Sequence, residues 1–173
     1  MKAYLLDTNI WSDWYYGRDY IARNMNKLLK TQGFLNMSYI SLGEFSYGWH
    51  LDSSFDRKDF EKFLKTIDFK VYRKFDDHTT EIYGQLRAIL AKKYACKNKK
   101  VKWFEALADP TTSKSLGIQE NDLWLTAQAI NYGMTLVTAD KKMRRIFEVI
   151  PQEHLGNENE GFYYDVWDKT QGV

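Results

Sequence analysis

Only one cysteine, Cys96, occurs in the 173 residues. It cannot close an internal disulfide, which excludes a disulfide-stapled secreted module and fits a reducing compartment. Flanked by Lys93 and Lys97, it reads as an incidental surface thiol. Proline is almost as scarce, with Pro110 and Pro151 alone, and no Gly/Ser-rich or low-complexity tract separates one half from the other, so no linker is visible. No apolar run is long enough to span a bilayer. Met1-Lys2 leads into a short apolar stretch that lacks the plan of a secretion signal, and the expectation is a cytoplasmic chain that meets no membrane. The frames of nucleophilic catalysis are missing too: there is no GxSxG elbow, no Cys-His frame and no GxxxxGK[ST] phosphate loop. The three histidines, His50, His78 and His154, show neither metal-ligand spacing nor the pairing that an attack by a ribose hydroxyl would use.

What is present suits one domain by length, enough to bury a core and too little for two ordinary ones. A net charge of +2, from 25 basic and 23 acidic residues, does not announce nucleic-acid binding, but its distribution is uneven. Lys92, Lys93, Lys97, Lys99, Lys100 and Lys102 crowd one stretch, Lys141, Lys142, Arg144 and Arg145 another, and the tail from Glu153 to Asp168 is acidic. Such runs are either ordinary solvated surface or the phosphate-binding footprint of an RNA or DNA enzyme.

Apolar spacing predicts strands at Ala3 to Leu6, Phe34 to Met37, Phe69 to Tyr72 and Thr135 to Val137. Helices are expected over Thr8 to Tyr16, Asp19 to Lys30 (ended by Gly33), Ser41 to Leu51, Arg57 to Thr66, Asp76 or Asp77 to Tyr94, and Asn121 to Tyr132, the last closed by Gly133. Between Lys97 and Gln119 the pattern breaks into an irregular excursion, and Gly161 to Trp167 reads as an extra strand or an ordered tail. Helix, glycine and strand in quick succession make the αβ half of a βαβ unit. The fold class is therefore α/β, a small parallel sheet of about four or five strands flanked by helices on both faces.

Against that frame, four acidic residues recur in one setting: Asp7, Glu44, Asp122 and Asp140 each stand where an apolar or β-rich stretch gives way to a helix start. Singly, each reads first as a cap, since an acid there accepts orphan N–H groups and favours the positive end of the helix. Glu44 even completes a capping box, Ser41-x-x-Glu44. Jointly they read otherwise. At the carboxyl ends of parallel strands they gather at one edge, where ligands bind in such sheets. Like charges so close call for a cation, and oxygen-rich clusters with open positions suit Mg²⁺ or Mn²⁺. The chemistry left open is metal-assisted hydrolysis.

LLDTNIW, SLGEF, ENDLWLTAQAI and LVTAD, in this order, resemble the four motifs of PIN-domain ribonucleases, most closely the VapC type of bacterial toxin. The resemblance covers roughly residues 1 to 150, leaving 151 to 173 as an extension packed on the same domain. It implies Asp7, Glu44, Asp122 and Asp140 as metal-binding and catalytic acids, with Thr8, Asn9 and Thr138 orienting them. It implies a parallel α/β sandwich, an RNA substrate gripped by basic residues (Lys97, Lys99, Lys100, Lys102, Lys141, Lys142, Arg144 and Arg145), a cognate antitoxin that occludes the site, often with an arginine, and a possible homodimer. The excursion from Lys97 to Gln119 and the tail past Pro151 are longer than the family's usual pattern. Two other readings compete. A haloacid-dehalogenase-like phosphatase also has an Asp after its first strand, but Asn9 stands where that chemistry needs a second acid. A PIN-like domain without catalysis, used for RNA binding or docking, would have no need of all four acids.

Overall fold

The computed structural model describes residues 2–52, 55–72, 74–94, 107–109, 111–155 and 162–167. In chain order it runs β1 (Ala3–Leu6), α1 (Thr8–Tyr15), α2 (Asp19–Leu29), β2 (Phe34–Ser38), α3 (Tyr39–Leu51), α4 (Arg57–Lys65), β3 (Phe69–Tyr72), α5 (Asp77–Tyr94), α6 (Glu120–Asn131), β4 (Thr135–Thr138), α7 (Arg144–Phe147) and β5 (Tyr163–Val166). Single 3₁₀ turns cover Lys141–Met143 and Gln152–His154. The five strands form one sheet of order β3-β2-β1-β4-β5, every pair parallel.

Side chains alternate across a strand, and that alternation builds two cores. Leu5 and Leu136, paired across β1 and β4, face the layer of α5, α6 and α7 with Leu86, Leu90, Ile130 and Ile146. Tyr4, Leu6 and Val137 face the other way, onto Trp11, Ile21, Met25, Phe45 and Phe60 of α1 to α4. Strand β4 is buried along its whole length, as expected of a central strand covered on both faces. Among the described residues, no helix is long and apolar enough to cross a membrane.

Three local expectations change. Helix α3 opens at Tyr39, capped by Ser38, whose hydroxyl accepts from the Ile40 amide at 3.1 Å. The Ser41–Glu44 capping box therefore does not form: Ser41 lies inside the helix, fully buried, its hydroxyl without a hydrogen-bond partner among the described residues. Strand β2 runs on to Ser38 and turns directly into the helix, which leaves Glu44 in the second turn with its side chain released from capping. The turn after α2 is made by Gln32, at φ +56°, and not by Gly33. Gly33 is needed for space, since a Cβ there would overlap the Tyr4 ring and lie 3.0 Å from the Lys2 carbonyl oxygen.

The tail resolves as strand β5, in register with β4 from Thr135↔Tyr163 to Thr138↔Val166. Its end reaches back toward the sheet edge, where the Trp167 amide donates to the Thr138 carbonyl at 2.8 Å. Of the irregular excursion, residues 107–109 and 111–119 are described. Ala108 and Ser115 form an antiparallel bridge, the Asp109 carboxylate accepts from the amides of Thr111 and Thr112, both at 2.9 Å, and Leu107, Leu116 and Ile118 enter the core. Lys97, Lys99, Lys100 and Lys102 lie outside the described residues, as do Cys96, Trp103 and Phe104.

Trp167 is 5 % exposed and joins the core behind β4. Trp167→Ala is expected to cost about 3–5 kcal/mol, read as a lowered midpoint in denaturant at unchanged slope. A loss under about 1 kcal/mol would show that β5 adds little to the sheet.

Candidate active site

Asp7 ends β1 and begins α1. Its amide extends the sheet, donating to the Val137 carbonyl at 2.9 Å, and its carboxylate caps the helix, with Oδ1 accepting from the Thr8 amide at 2.6 Å. The other oxygen, Oδ2, accepts from Asn9 Nδ2 at 2.5 Å and from the Thr138 hydroxyl at 2.7 Å. Asn9 also accepts from the Ala139 amide at 2.9 Å, and Thr138 Oγ1 accepts from the Asp140 amide at 3.0 Å and Asn9 Nδ2 at 3.2 Å. Thr138 thus has its one donor and both acceptor positions in use. These bonds lock the ends of β1 and β4 together and fix Asp7 between them.

Asp122 and Asp140 come from separate helix starts, and Glu44 from the second turn of α3. Asp122 closes a capping box that the sequence placed elsewhere: the Gln119 amide donates to Asp122 Oδ2 at 2.7 Å while the Gln119 side chain returns to the Asp122 backbone. Asp140 caps the 3₁₀ turn, accepting from the Lys142 amide at 2.8 Å. Glu44 reaches in from α3 and is held by both oxygens: Oε2 accepts from the Thr8 hydroxyl, Oε1 from Asn121 Nδ2 at 2.8 Å. For Asp7, Asp122 and Asp140, capping and membership of the site hold together. For Glu44 only membership holds.

All four acids line one cleft of about 590 Å³, together with Thr8, Asn9, Gln119 and an aromatic group comprising Tyr16, Tyr47, Trp49 and Phe55. Of the orienting residues named from sequence, Asn9 and Thr138 hold Asp7, whereas Thr8 gives its amide to Asp7 and its hydroxyl to Glu44. Asn121 and Gln119 were not among them. Their one local signal is position: an amide directly before Asp122, and a residue three before it that can cap.

Charge is the site's dominant stress. Asp7 is 5 % exposed, and burial pushes its carboxyl from the ordinary 3.8 up to about 6; the Thr138 hydroxyl opposes this and the Glu44 charge adds to it. Burial also drives Asp122 to about 7, against the Gln119 amide and with Asp7, Asp140 and Glu44 repelling it. Among the described residues, no three acidic, His or Cys side chains converge closely enough to make a ready-formed metal cage. Each carboxylate is instead held by neutral donors. The donor set fits a hard divalent cation all the same: carboxylate oxygens alone, with a surplus of negative charge that a cation would relieve. Asp7, Glu44, Asp122 and Asp140 are the residues that could hold it.

Of the basic residues expected to grip RNA, the described ones follow Asp140 in the chain, and none of them lines the cleft. Lys141, Lys142 and Arg144 are exposed, and Arg145 is half-buried. Arg145 donates to the Leu116 carbonyl at 2.5 Å, pinning the returning limb of the excursion. The Lys142 chain lies over Gly117, where an added Cβ would stand 2.9 Å from its Cδ.

The PIN domain family profile matches residues 4–148. No curated protein matches the chain in sequence. Among solved structures, a chain of Rickettsia felis VapBC2 bound to a promoter DNA fragment superposes with a TM-score of 0.63 at 24 % identity, over 96 % of this chain and 99 % of that one. A chain of DNA-bound VapBC from Salmonella typhimurium gives 0.60 at 22 %, over 96 % and 99 %. One of VapBC-1 from nontypeable Haemophilus influenzae gives 0.59 at 21 %, over 95 % and 98 %. At these identities the likeness establishes the fold.

Because the folded pKa of Asp122 lies above its ordinary value, the native state keeps a proton that the unfolded chain has lost. Its contribution to stability is full below pH 4 and is lost as pH rises to about 7. In chelator, the Tm of Asp122→Asn should therefore match wild type near pH 4 and exceed it increasingly toward pH 7.5, by roughly 2–4 °C for each kcal/mol of repulsion removed. A gap that stays constant across that range would show that Asp122 titrates normally.

Proposed function

Since the chain belongs to the PIN-domain family, we propose that it is a divalent-metal-dependent endoribonuclease, of the VapC type, and the toxin of a toxin–antitoxin pair. The observation that carries the catalytic part is the meeting of Asp7, Glu44, Asp122 and Asp140 in one cleft, two of them held above the usual carboxylate range. Four carboxylates so placed serve a cation. Mg²⁺ or Mn²⁺ held by these residues would acidify water and neutralise charge on the attacked phosphodiester.

The chain's own contribution is positioning. Thr8 and Asn121 fix both oxygens of Glu44, Asn9 and Thr138 aim one oxygen of Asp7, and no such side chain is left to search for its place when substrate arrives. Asn9 has both ends of its amide engaged, to Asp7 and to the Ala139 backbone, an orienting role that gives no support to phosphatase chemistry. Lys141, Lys142, Arg144 and Arg145, with Lys97, Lys99, Lys100 and Lys102, would contact the RNA phosphates.

The toxin part rests on the three VapBC complexes that this chain matches over nearly its full length. A cognate antitoxin is the expected protein partner, with a homodimer possible as well. The setting is the cytoplasm, where RNA and antitoxin would be met.

Hydrolysis here means that water adds to phosphorus, the bond to the 3′-oxygen breaks, and that oxygen leaves with a proton. Purified protein should cut single-stranded RNA with Mg²⁺ or Mn²⁺ and not with chelator, leaving a 5′-phosphate and a 3′-hydroxyl. A 2′,3′-cyclic phosphate would sink the mechanism. Asp7→Asn and Asp122→Asn should each lower kcat by at least about 100-fold, corresponding to ~2.7 kcal/mol, while the circular-dichroism spectrum stays unchanged. Absence of cleavage by wild type with every divalent ion tried would leave the non-catalytic docking reading in its place.

A further inference from the structure

Helix α3 carries an unusual run beside the acids: Gly43, Glu44, Tyr47 and Gly48. Glycine in a helix interior is destabilising, and neither has a packing reason, since a Cβ added at Gly43 or at Gly48 would meet nothing within 4 Å. Each lines a different cavity. Gly48 lines the acidic cleft, and Gly43 a second cavity of about 440 Å³. The two cavities share Glu44, Tyr47 and Gln119. Tyr47 therefore stands at the divide. It is 68 % exposed, and among the described residues it makes no hydrogen bond and no ring contact. One helical turn separates it from Glu44, on the same face. Tyr16, 57 % exposed, lines the acidic cleft and not the second cavity.

We propose that Tyr47 is a base-stacking post, and that the spaces over Gly43 and Gly48 take the two nucleobases that flank the bond to be cut in an unpaired RNA strand. This rests on the ribonuclease reading and adds the means by which the strand is held. A cleft lined by carboxylates and by no described basic residue repels phosphates, so beside the charge contacts outside it a strand crossing it gains from a source of affinity that is not charge. Stacking supplies one, because every base has a π-face. A flat ring needs a slot on each side of the post, and helix positions without a Cβ provide it at the right height. A base-paired strand cannot offer its faces to Tyr47, which makes the post a filter for unpaired RNA.

A second copy of this chain is the competing occupant of the face around Tyr47, and the experiment distinguishes the two. Binding of a fluorescein-labelled single-stranded RNA is measured by anisotropy in an Asp122→Asn background, and cleavage kinetics with Mg²⁺ in the otherwise unaltered chain. Tyr47→Ala should weaken binding about 5- to 100-fold and raise KM with little change in kcat, while Tyr47→Phe and Tyr47→Trp retain both. Gly48→Ala should raise Tm by about 2–4 °C and still weaken binding, an opposition that a merely structural glycine would not show. In RNA with an abasic residue beside the cleaved bond, KM should rise for wild type and rise no further for Tyr47→Ala.

Full RNA affinity in both Tyr47→Ala and Gly48→Ala overturns the proposal, as does an abasic penalty that persists undiminished in Tyr47→Ala. So does a change of oligomeric state in Tyr47→Ala, by light scattering, with RNA affinity per protomer unchanged, which would assign the face to a second copy. An RNA-binding protein with the Tyr47–abasic coupling but no cleavage would uphold the post and sink the nuclease reading. Cleavage without that coupling would do the reverse.

Discussion

The hydrogen bonds among Asp7, Asn9 and Thr138 join the ends of two parallel strands, and the rest of the site depends on that junction. Thr138 is the last residue of β4 and Asp7 the first after β1, so one hydroxyl fixes the spacing of the sheet at its carboxyl edge and aims a buried carboxylate in the same act. Behind it, Trp167 completes the arrangement by donating its amide to the Thr138 carbonyl. The C-terminal strand therefore supports the site from the sheet side, although it carries no residue of the cleft.

That junction holds negative charge where the fold would be better off without it. Burial raises the cost of charging Asp7 and Asp122, and the neighbouring acids add to it, Glu44 for Asp7 and Asp7, Asp140 and Glu44 for Asp122. Neutral donors are the means by which the metal-free protein tolerates this: amides of Thr8, Gln119 and Lys142, the hydroxyls of Thr8 and Thr138, the side-chain amides of Asn9 and Asn121. None carries charge, so none competes with a cation for the carboxylates. A lysine or arginine in their place would stabilise the empty cleft and occupy it. Local instability is thus retained at the position where a ligand would remove it.

Helix α3 shows the same compromise on a smaller scale. It starts from a capping serine directly at the end of β2 and buries Phe45 against Phe60, yet spends two interior positions on glycine. The helix is anchored firmly by one face so that the other can be kept bare beside Glu44. Packing on the anchored side is rich in aromatic rings, with Trp49, Phe55 and Phe60 in mutual contact and the Arg57 guanidinium 4.8 Å from the Trp49 ring centre.

The sequence alone determined the alternation of strands and helices, and hence the parallel α/β sheet, because strands buried on both faces read as short apolar runs and helices buried on one face as a countable period. For Asp7, Asp122 and Asp140 it also determined position, at a strand end or a helix start, since capping chemistry is written within three or four neighbouring residues. Only the tertiary structure decided what each acid touches. Ser41-x-x-Glu44 satisfied the local pattern for a capping box, but β2 turned into the helix three residues earlier, and Glu44 found its partners in Thr8 and in Asn121, 36 and 77 positions away. The true box at Gln119–Asp122, the role of Asn121 and the pairing of β5 with β4 were equally hidden, for one reason. A hydrogen bond between distant segments leaves no period and no spacing in the chain, and it comes into being only when the sheet has brought both ends to one edge.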